Sequence, residues 1–173
     1  MKIAFAGSFA ARLAEPVRSL LALPCEIVTD EDEAGILARL AEVDVLVSLL
    51  FTRAMAEAAP RLRLLQVPGA GLDRVDRGAL PAGAHLANAH GHETGIAEYV
   101  IGAMIALSRS FGALDAGLRR GEWESQWAVG RAAPPPWPEL AGKTLGILGF
   151  GHIGQALARR ANAFDMRVCA VRR

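Results

Sequence analysis

Residues 143–154, with the sequence KTLGILGFGHIG, constrain the fold of this chain more than any other segment. An apolar run typical of a buried strand ends in the pattern G-x-G-x-x-G, at positions 149, 151 and 154. A helical pattern follows at once, and a second apolar run, at 166–171, predicts another strand. A strand, a glycine turn, a helix and a strand in this order are the context in which the motif indicates dinucleotide binding.

Each glycine of the motif has a predicted physical role. Gly149 permits the tight turn, Gly151 lets the backbone approach a pyrophosphate, and Gly154 lets the helix pack closely on the strand. His152 and Ile153 open the helix, whose N-terminus offers free N–H groups and a partial positive charge to phosphates. The alternative is a plain βαβ unit that binds no ligand.

Residues 1–92 alternate between strand-like and helix-like patterns, which predicts a flavodoxin-like α/β domain with a doubly wound parallel sheet. A helix is predicted from about Ala10 to Leu23, with Pro16 near its start, and Thr52 is predicted to cap a short helix. The predicted strands cover residues 2–6, 25–29, 44–50, 62–67 and 84–87.

Residues 93–173 are predicted to hold an interdomain helix at 93–109, an irregular arm at 123–138 that contains tryptophan and proline, and the first βαβ unit of a Rossmann domain. The helix is apolar nearly all round, which predicts burial between domains or subunits. A complete doubly wound nucleotide domain has about six strands, and only two are recognisable here. The sequence is therefore expected to be a fragment of a longer protein.

Charge and composition bear on partners and location. The net charge is +1 and the basic residues are scattered, which argues against a nucleic-acid surface. No run approaches the roughly 20 apolar residues of a membrane span, and the N-terminus lacks the features of a signal peptide. Cys25 and Cys169 both lie in strand-like segments, so we expect buried free thiols and a cytoplasmic location.

Four stretches in a fixed order resemble the D-isomer-specific 2-hydroxyacid dehydrogenase family. They are the loop LLQVPGAGLDRVD at 64–76, the sequence NAHG at 88–91 with the helix containing AEYV at 97–100, the sequence GEW at 121–123, and ELAGKTLG at 139–146. Together they are more specific than the glycine motif alone. The first 40 residues match the family only in their pattern of strands and helices.

This resemblance implies a two-domain oxidoreductase that transfers a hydride between a nicotinamide cofactor and a 2-oxo or 2-hydroxy acid. It implies that the turn at Ala70 and Gly71 supplies N–H groups to the substrate carboxylate, as a tight glycine turn can do. Leu49 and Leu50 are expected to line the same cleft. The family's catalytic Arg, carboxylate and His match no residue up to Arg173, so we expect this chain to be inactive alone.

The histidines are not predicted to replace the missing catalytic groups. His90 and His92 with Glu93 could suggest a metal site, but no further ligands have suitable spacing, so no metal is predicted. His90 occupies a slot where the family often has proline, which favours a conformational role. His152 would present its backbone, rather than its ring, to a pyrophosphate.

Cofactor choice is predicted from the end of the second fingerprint strand. An acidic residue at that point holds the ribose hydroxyls of NAD, but Arg172 occupies the slot here and Arg173 follows it. Guanidinium groups suit phosphate, which favours NADP over the alternative, NAD.

A homodimer is expected for the intact protein. A dinucleotide-sensing scaffold similar to a corepressor of the same family, or a non-catalytic pseudoenzyme, is the alternative function.

Overall fold

The computed structural model describes residues 1–123, 130 and 136–172. The chain divides into two compact units, Met1–His90 and Gly91–Arg173, which are described separately below. The predicted roles of the two domains, a substrate domain at 1–92 and the start of a nucleotide domain at 93–173, stay predictions.

The first unit is built around a five-stranded parallel sheet with the order β2-β1-β3-β4-β5. This is the flavodoxin-like order, so the predicted doubly wound α/β fold is confirmed. Two single turns of 3₁₀ helix, Leu40–Glu42 and Arg77–Ala79, lie in the connections. The main elements are β1 (Lys2–Ala6), α1 (Ser8–Leu20), β2 (Glu26–Asp30), α2 (Glu33–Leu37), β3 (Val45–Ser48), α3 (Arg53–Ala58), β4 (Leu64–Gln66) and β5 (His85–Ala87).

The interior strand β1 separates two hydrophobic clusters because its side chains alternate between the faces of the sheet. Ile3 and Phe5 pack with Ala10 and Ala14 of α1 on one face. The other face holds the larger cluster, which includes Ala4, Ala6, Ile36, Leu40, Leu46, Phe51, Met55 and Leu65. With both faces covered, β1 and β3 are apolar at residues 3–6 and 45–47, which explains their clear signal in the sequence.

Side-chain caps fix the starts of two helices in this unit. The hydroxyl of Thr52 accepts a hydrogen bond from the N–H of Met55 at 3.3 Å, as predicted for the start of α3. The carboxylate of Asp32 accepts hydrogen bonds from the N–H groups of Ala34 at 3.1 Å and Gly35 at 3.3 Å, and so caps α2.

The prediction that Pro16 lies near a helix start is wrong. Helix α1 already begins at Ser8, so Pro16 lies inside it and removes one backbone hydrogen-bond donor. The buried side of the helix, at Ala10 and Ala14, decides where α1 runs, because its packing on β1 outweighs the cost of the proline. Pro16 itself is exposed on the opposite side.

The second unit contains a βαβ motif and two further helices. Its elements are α4 (Glu93–Ser108), α5 (Phe111–Arg119), β6 (Thr144–Leu148), α6 (His152–Ala163) and β7 (Arg167–Val171). Strands β6 and β7 pair in parallel, and α6 connects them, which confirms the predicted first βαβ unit of a Rossmann fold. Helices α4 and α5 are separated at Ser110, whose φ is +52°.

Helix α4 is buried on one side only. Ala97 and Ile101 are buried against α6, and Val100 and Met104 are half-buried in the same cluster. Tyr99 and Leu107, in contrast, are 77% and 80% exposed within this chain. Helix α4 therefore has more apolar side chains than the described residues of this chain cover. The predicted arm at 123–138 lies largely outside the described residues.

Cys169 is exposed, contrary to the predicted burial, because successive side chains of β7 point to opposite faces of the sheet and Cys169 lies on the face opposite to Val168. Val168 packs towards α6, whereas no described residue covers the opposite face of this two-stranded sheet enough to bury Cys169. Cys25 is half-buried, and both cysteines are free thiols.

No single helix in the described ranges has the length and hydropathy of a membrane span. Helices α4 and α5 meet that criterion only when taken together, and they are bent by 55° relative to each other.

Candidate cofactor and substrate sites

The turn between β6 and α6 has the conformation that the fingerprint predicts. Gly149 has a φ of +91°, in the left-handed region that favours glycine. Its N–H donates to the carbonyl oxygen of Val171 at 2.8 Å, so the turn is bonded to the end of β7. The turn and the last residue of β7 therefore lie side by side at the carboxyl edge of the sheet.

Gly154 and Gly151 leave space for different reasons. A Cβ atom added to Gly154 would lie 2.6 Å from the carbonyl oxygen of Gly149 and 3.3 Å from Cγ2 of Ile147. Only glycine therefore allows α6 to pack this closely on the turn. A Cβ atom added to Gly151 would meet no heavy atom within 4 Å. None of the described residues requires glycine there, and the open space fits the close approach of a pyrophosphate to the backbone.

The N-terminus of α6 points its first backbone N–H groups away from the helix. His152 and Ile153 form the first turn, both are exposed, and no side chain caps the N-cap residue Gly151. The partial positive charge of a helix N-terminus and its free donors suit an anion. The glycines and this helix start together form a cradle that fits a dinucleotide pyrophosphate.

Helix α4 holds α6 in place. The Arg160 guanidinium lies 3.3 Å from the Glu98 carboxylate and also donates to the carbonyl oxygen of Ala156 at 3.2 Å. At the start of α4, the carboxylate of Glu93 accepts a hydrogen bond from the N–H of Gly91 at 2.9 Å. The pKa of Glu93 is lowered, mainly by a hydrogen bond from its own N–H and further by that of Gly91. A negative charge is thereby fixed at the N-terminus of α4, where the helix dipole favours it.

Arg172 lies directly after β7, next to the fingerprint turn. The preceding residue, Val171, is the one whose carbonyl oxygen accepts from Gly149. Arg172 is exposed, and among the described residues no ion pair engages its guanidinium. Arg173 lies outside the described residues.

The predicted substrate residues lie at the carboxyl edge of the first sheet. Leu49 and Leu50 follow β3, and Ala70 and Gly71 follow β4. The two loops lie close together, since Cδ2 of Leu49 would be 3.6 Å from a Cβ atom added to Gly69. The structure thus brings the two predicted pairs into neighbouring loops.

Hydrogen bonds from beyond β5 anchor the turn at Ala70. The side-chain amide of Asn88 donates to the carbonyl oxygen of Ala70 at 3.0 Å, and the N–H of Ala89 donates to that of Gly69 at 3.0 Å. Among the described residues, no group accepts a hydrogen bond from the N–H groups of Ala70 and Gly71. These two donors are consistent with the predicted anion-binding turn.

A cavity of about 260 Å³, here called the switch-point pocket, lies where the strand order reverses between β1 and β3. Crevices at such points are the usual ligand sites of open α/β sheets. Leu49 and Leu50 were predicted to line a cleft, whereas the other lining residues were not predicted. The lining residues are Ala6, Gly7, Ser8, Phe9, Ala10, Glu31, Ser48, Leu49, Leu50, Met55 and Arg74.

Hydrogen bonds shape the loop that forms one wall of this pocket. Ser48 is 2% exposed, and its hydroxyl accepts from the N–H of Leu50 at 3.1 Å. The N–H of Phe51 donates to the carbonyl oxygen of Arg74 at 3.0 Å, which joins two loops distant in sequence. Because ligands commonly bind where the strand order reverses, the predicted sheet could have indicated Gly7 and Ser8, which follow β1, as lining residues. No sequence pattern places Arg74 beside Phe51.

The histidines do not form a metal site in the described structure. Among the described residues no group of three or more His, Cys, Asp or Glu side chains is arranged to hold a metal ion. His90 and His92 are both exposed.

Comparison with known proteins identifies the same family as the motifs. Residues 101–173 match the family model for the D-isomer specific 2-hydroxyacid dehydrogenase, NAD binding domain. Hydroxypyruvate reductase of Thermotoga maritima is 38% identical over 134 residues, which cover 75% of this chain and 42% of that protein. Glyoxylate reductase of Thermofilum pendens is 31% identical over 169 residues, which cover 89% of this chain and 48% of that protein.

Solved structures agree with this result. A 2-hydroxyacid dehydrogenase from Ketogulonicigenium vulgare Y25 superposes with a TM-score of 0.74 at 29% sequence identity, over 98% of this chain and 53% of that one. The chain thus spans about half the length, or less, of the relatives it matches. On these matches and the motifs that preceded them, the chain belongs to the D-isomer-specific 2-hydroxyacid dehydrogenase family.

Proposed function

We propose that the protein containing this chain is an NAD(P)-dependent oxidoreductase that interconverts 2-oxo and 2-hydroxy acids. The observation that carries the proposal is the fingerprint turn, where Gly149 is left-handed and Gly154 leaves no room for a Cβ atom. The names of its relatives, hydroxypyruvate reductase and glyoxylate reductase, support small 2-oxo acids as the substrate class.

The cofactor would be held through the backbone at the start of α6. The N–H groups of His152, Ile153 and Gly154 would donate to the pyrophosphate, and Gly151 would leave it room. When bound in reduced form, the nicotinamide supplies a hydride to the carbonyl carbon of the 2-oxo acid. The carbonyl oxygen takes a proton, which yields the 2-hydroxy acid and the oxidised cofactor.

The first unit would bind the substrate. The N–H groups of Ala70 and Gly71 would donate hydrogen bonds to the substrate carboxylate, and Leu49 and Leu50 would contact the apolar part of the substrate. Such contacts orient the acid for hydride transfer, and orientation contributes much of the rate in reactions of this kind.

The groups that move the proton are proposed to lie outside this chain. The resemblance implies an Arg, a carboxylate and a His, and no residue of the sequence matches them. We therefore propose that residues 1–173 alone bind ligands without turning them over. A dinucleotide-sensing scaffold or a pseudoenzyme of the same fold is the alternative, and it would bind the cofactor but lack turnover in the complete protein.

The proposed cofactor is NADP rather than NAD. Arg172 stands next to the fingerprint turn and has no ion-pair partner among the described residues, so its guanidinium is available to a 2′-phosphate. Arg173 is proposed to assist it. An acidic side chain, which would accept hydrogen bonds from the ribose of NAD, is lacking at position 172.

A homodimer in the cytoplasm is proposed for the complete protein. The exposed apolar residues Tyr99 and Leu107 on α4 support a second subunit as the partner, because exposed large apolar side chains that group together mark interfaces. No nucleic-acid or membrane partner is proposed.

The test is steady-state kinetics on the protein expressed from its complete gene. With glyoxylate and hydroxypyruvate as substrates, kcat/KM should be higher with NADPH than with NADH. Arg172→Asp should lower the NADPH preference by about tenfold or more, since a charge-assisted contact to phosphate is lost. Arg167→Asp, at the opposite end of β7, is the matched control and should leave the preference unchanged. Turnover that prefers NADH in the parent would refute the cofactor proposal, and cofactor binding without turnover would favour the scaffold.

A further inference from the structure

The switch-point pocket contains one acidic and one basic side chain whose charges no described residue neutralises. Glu31 follows β2, and Arg74 lies in the loop after β4. Within the described part of the chain, neither the Glu31 carboxylate nor the Arg74 guanidinium forms a hydrogen bond or an ion pair. Both charges are therefore available to a ligand in the pocket.

The strand order sets the two charges at opposite ends of the pocket. Strands β2, β1 and β3 are neighbours in that order. Glu31 comes directly after β2, whereas the hydrogen bond from Phe51 holds the backbone of Arg74 just beyond the end of β3. Two strand spacings, or about 10 Å, separate these positions along the sheet edge. The wall between them is apolar and includes Phe9, Leu49, Leu50 and Met55.

The loop that holds Arg74 also contains the proposed carboxylate-binding turn at Ala70 and Gly71. Leu49 lies between the two places, since it lines the pocket and its Cδ2 atom would be 3.6 Å from a Cβ atom added to Gly69. A substrate carboxylate at this end would meet the N–H groups of the turn and the positive charge of Arg74. The remaining charge, on Glu31, then faces the far end of the substrate's side chain.

We propose, on the basis of the proposed function, that the switch-point pocket receives the side chain of the 2-oxo or 2-hydroxy acid and that Glu31 selects acids with a positively charged end. A ligand with charges about six covalent bonds apart reaches about 13 Å once a hydrogen-bond distance is added at each end, so it can span the interval of about 10 Å in a partly bent conformation. An acidic end would be repelled by Glu31, and a neutral end would leave the carboxylate without a partner.

The experiment compares three D-2-hydroxy acids of equal chain length in the protein expressed from its complete gene. They are 6-amino-2-hydroxyhexanoate, 2-hydroxyhexanoate and 2-hydroxyadipate, each oxidised with NADP⁺ at neutral pH. We expect kcat/KM to be about fivefold higher for 6-amino-2-hydroxyhexanoate than for the neutral 2-hydroxyhexanoate. An effect of this size is what an exposed charge pair supports. The dicarboxylate should be the poorest substrate of the three.

Variants of Glu31 assign the preference to its charge. Glu31→Gln should bring the amino and neutral acids to equal kcat/KM, and Glu31→Lys should make the dicarboxylate the best substrate. Both changes are at an exposed position, so the fold should persist. Glu57→Gln, on the exposed side of α3 and outside the pocket, is the matched control and should leave the order of substrates unchanged.

Two outcomes overturn the inference. Equal kcat/KM for the amino and neutral acids in the parent protein would do so, as would a preference that survives Glu31→Gln. In either case, oxidation of the neutral acid leaves the proposed function intact. If the protein oxidises none of the three acids and reduces neither glyoxylate nor hydroxypyruvate, the proposed function fails and the inference fails with it.

Discussion

Replacing single glycines in the β6–α6 unit should separate the packing of the fingerprint from its role in cofactor binding. In Gly154→Ala the new Cβ atom would lie 2.6 Å from the carbonyl oxygen of Gly149. Ordinary contact begins at 3.4 Å, so the start of α6 must move by about 0.8 Å relative to the turn. The obstacle is a backbone atom bonded into the turn, which cannot rotate away.

The expected cost has two opposing parts. Overpacking a tight contact costs about 1–3 kcal/mol, and alanine regains about 1 kcal/mol of helix propensity over glycine. A net loss of about 1 kcal/mol is expected, which corresponds to a fall in Tm of about 2–4 °C for a protein of this size. A shift of 0.8 Å also takes a 2.9 Å hydrogen bond to a pyrophosphate beyond bonding range. Losing one such charge-assisted bond should weaken NADPH binding by about tenfold or more.

Two further variants complete the comparison. In Gly151→Ala the added methyl group meets no protein atom and φ is −84°, so stability should change by less than about 1 kcal/mol. The methyl group would nevertheless occupy the space proposed for the pyrophosphate, so binding should fall. In Gly146→Ala, within β6, the added Cβ atom has open space among the described residues, and neither stability nor binding should decrease.

The assays are thermal unfolding without ligand and isothermal titration with NADPH, on the protein expressed from its complete gene. We expect Gly154→Ala to lose both stability and affinity, Gly151→Ala to lose affinity alone, and Gly146→Ala to lose neither. The reasoning is refuted if Gly154→Ala has the same Tm and the same affinity for NADPH as the parent, because residue 154 would then have room for a Cβ atom beside Gly149. It is also refuted if Gly151→Ala binds NADPH with undiminished affinity.

Three further predictions concern stability, turnover and assembly. The pKa of Asp44 is lowered below its ordinary value of 3.8, chiefly by the hydrogen bond from the N–H of Lys2, so its stabilising effect is present above that value and disappears as the pH falls through the lowered pKa. Asp44→Asn should therefore lower Tm at neutral pH and converge with the parent in acid, and a deficit in Tm that persists unchanged at low pH would contradict this. Purified residues 1–173 should not oxidise NADPH in the presence of glyoxylate, and steady loss of nicotinamide absorbance above a no-protein control would be the opposite result. The complete protein should sediment as a dimer that Leu107→Glu weakens while Glu57→Gln does not, and a parent that remains monomeric at micromolar concentration would disprove the assembly.

Local patterns in the sequence predicted most of the first sheet and the whole fingerprint unit. Strand β3 is apolar on both faces and is short, so its hydrophobic run was unambiguous. The cap at Thr52 and the left-handed turn at Gly149 depend on residues near in sequence, and both have the predicted geometry. Features of this kind are determined locally and can therefore be predicted from one sequence.

The errors and omissions involve contacts between distant residues. Proline usually marks a helix start, but packing of Ala10 and Ala14 on the sheet carries α1 through Pro16. The exposure of Cys169 depends on what covers the second sheet, which the composition of β7 does not reveal. Arg74 reaches the switch-point pocket through a hydrogen bond with Phe51, 23 residues earlier in the chain, and no local pattern indicates that pairing.

Hydrogen–deuterium exchange with and without NADPH tests the central claim, that residues 144–172 hold a dinucleotide, most directly. The measurement uses the protein expressed from its complete gene, at a cofactor concentration at which calorimetry shows binding. The account predicts slowed exchange at the backbone amides of residues 149–154, which lie at the fingerprint turn and the start of α6. NADPH binding that leaves the exchange of these amides unchanged, with protection elsewhere in the protein, would contradict it.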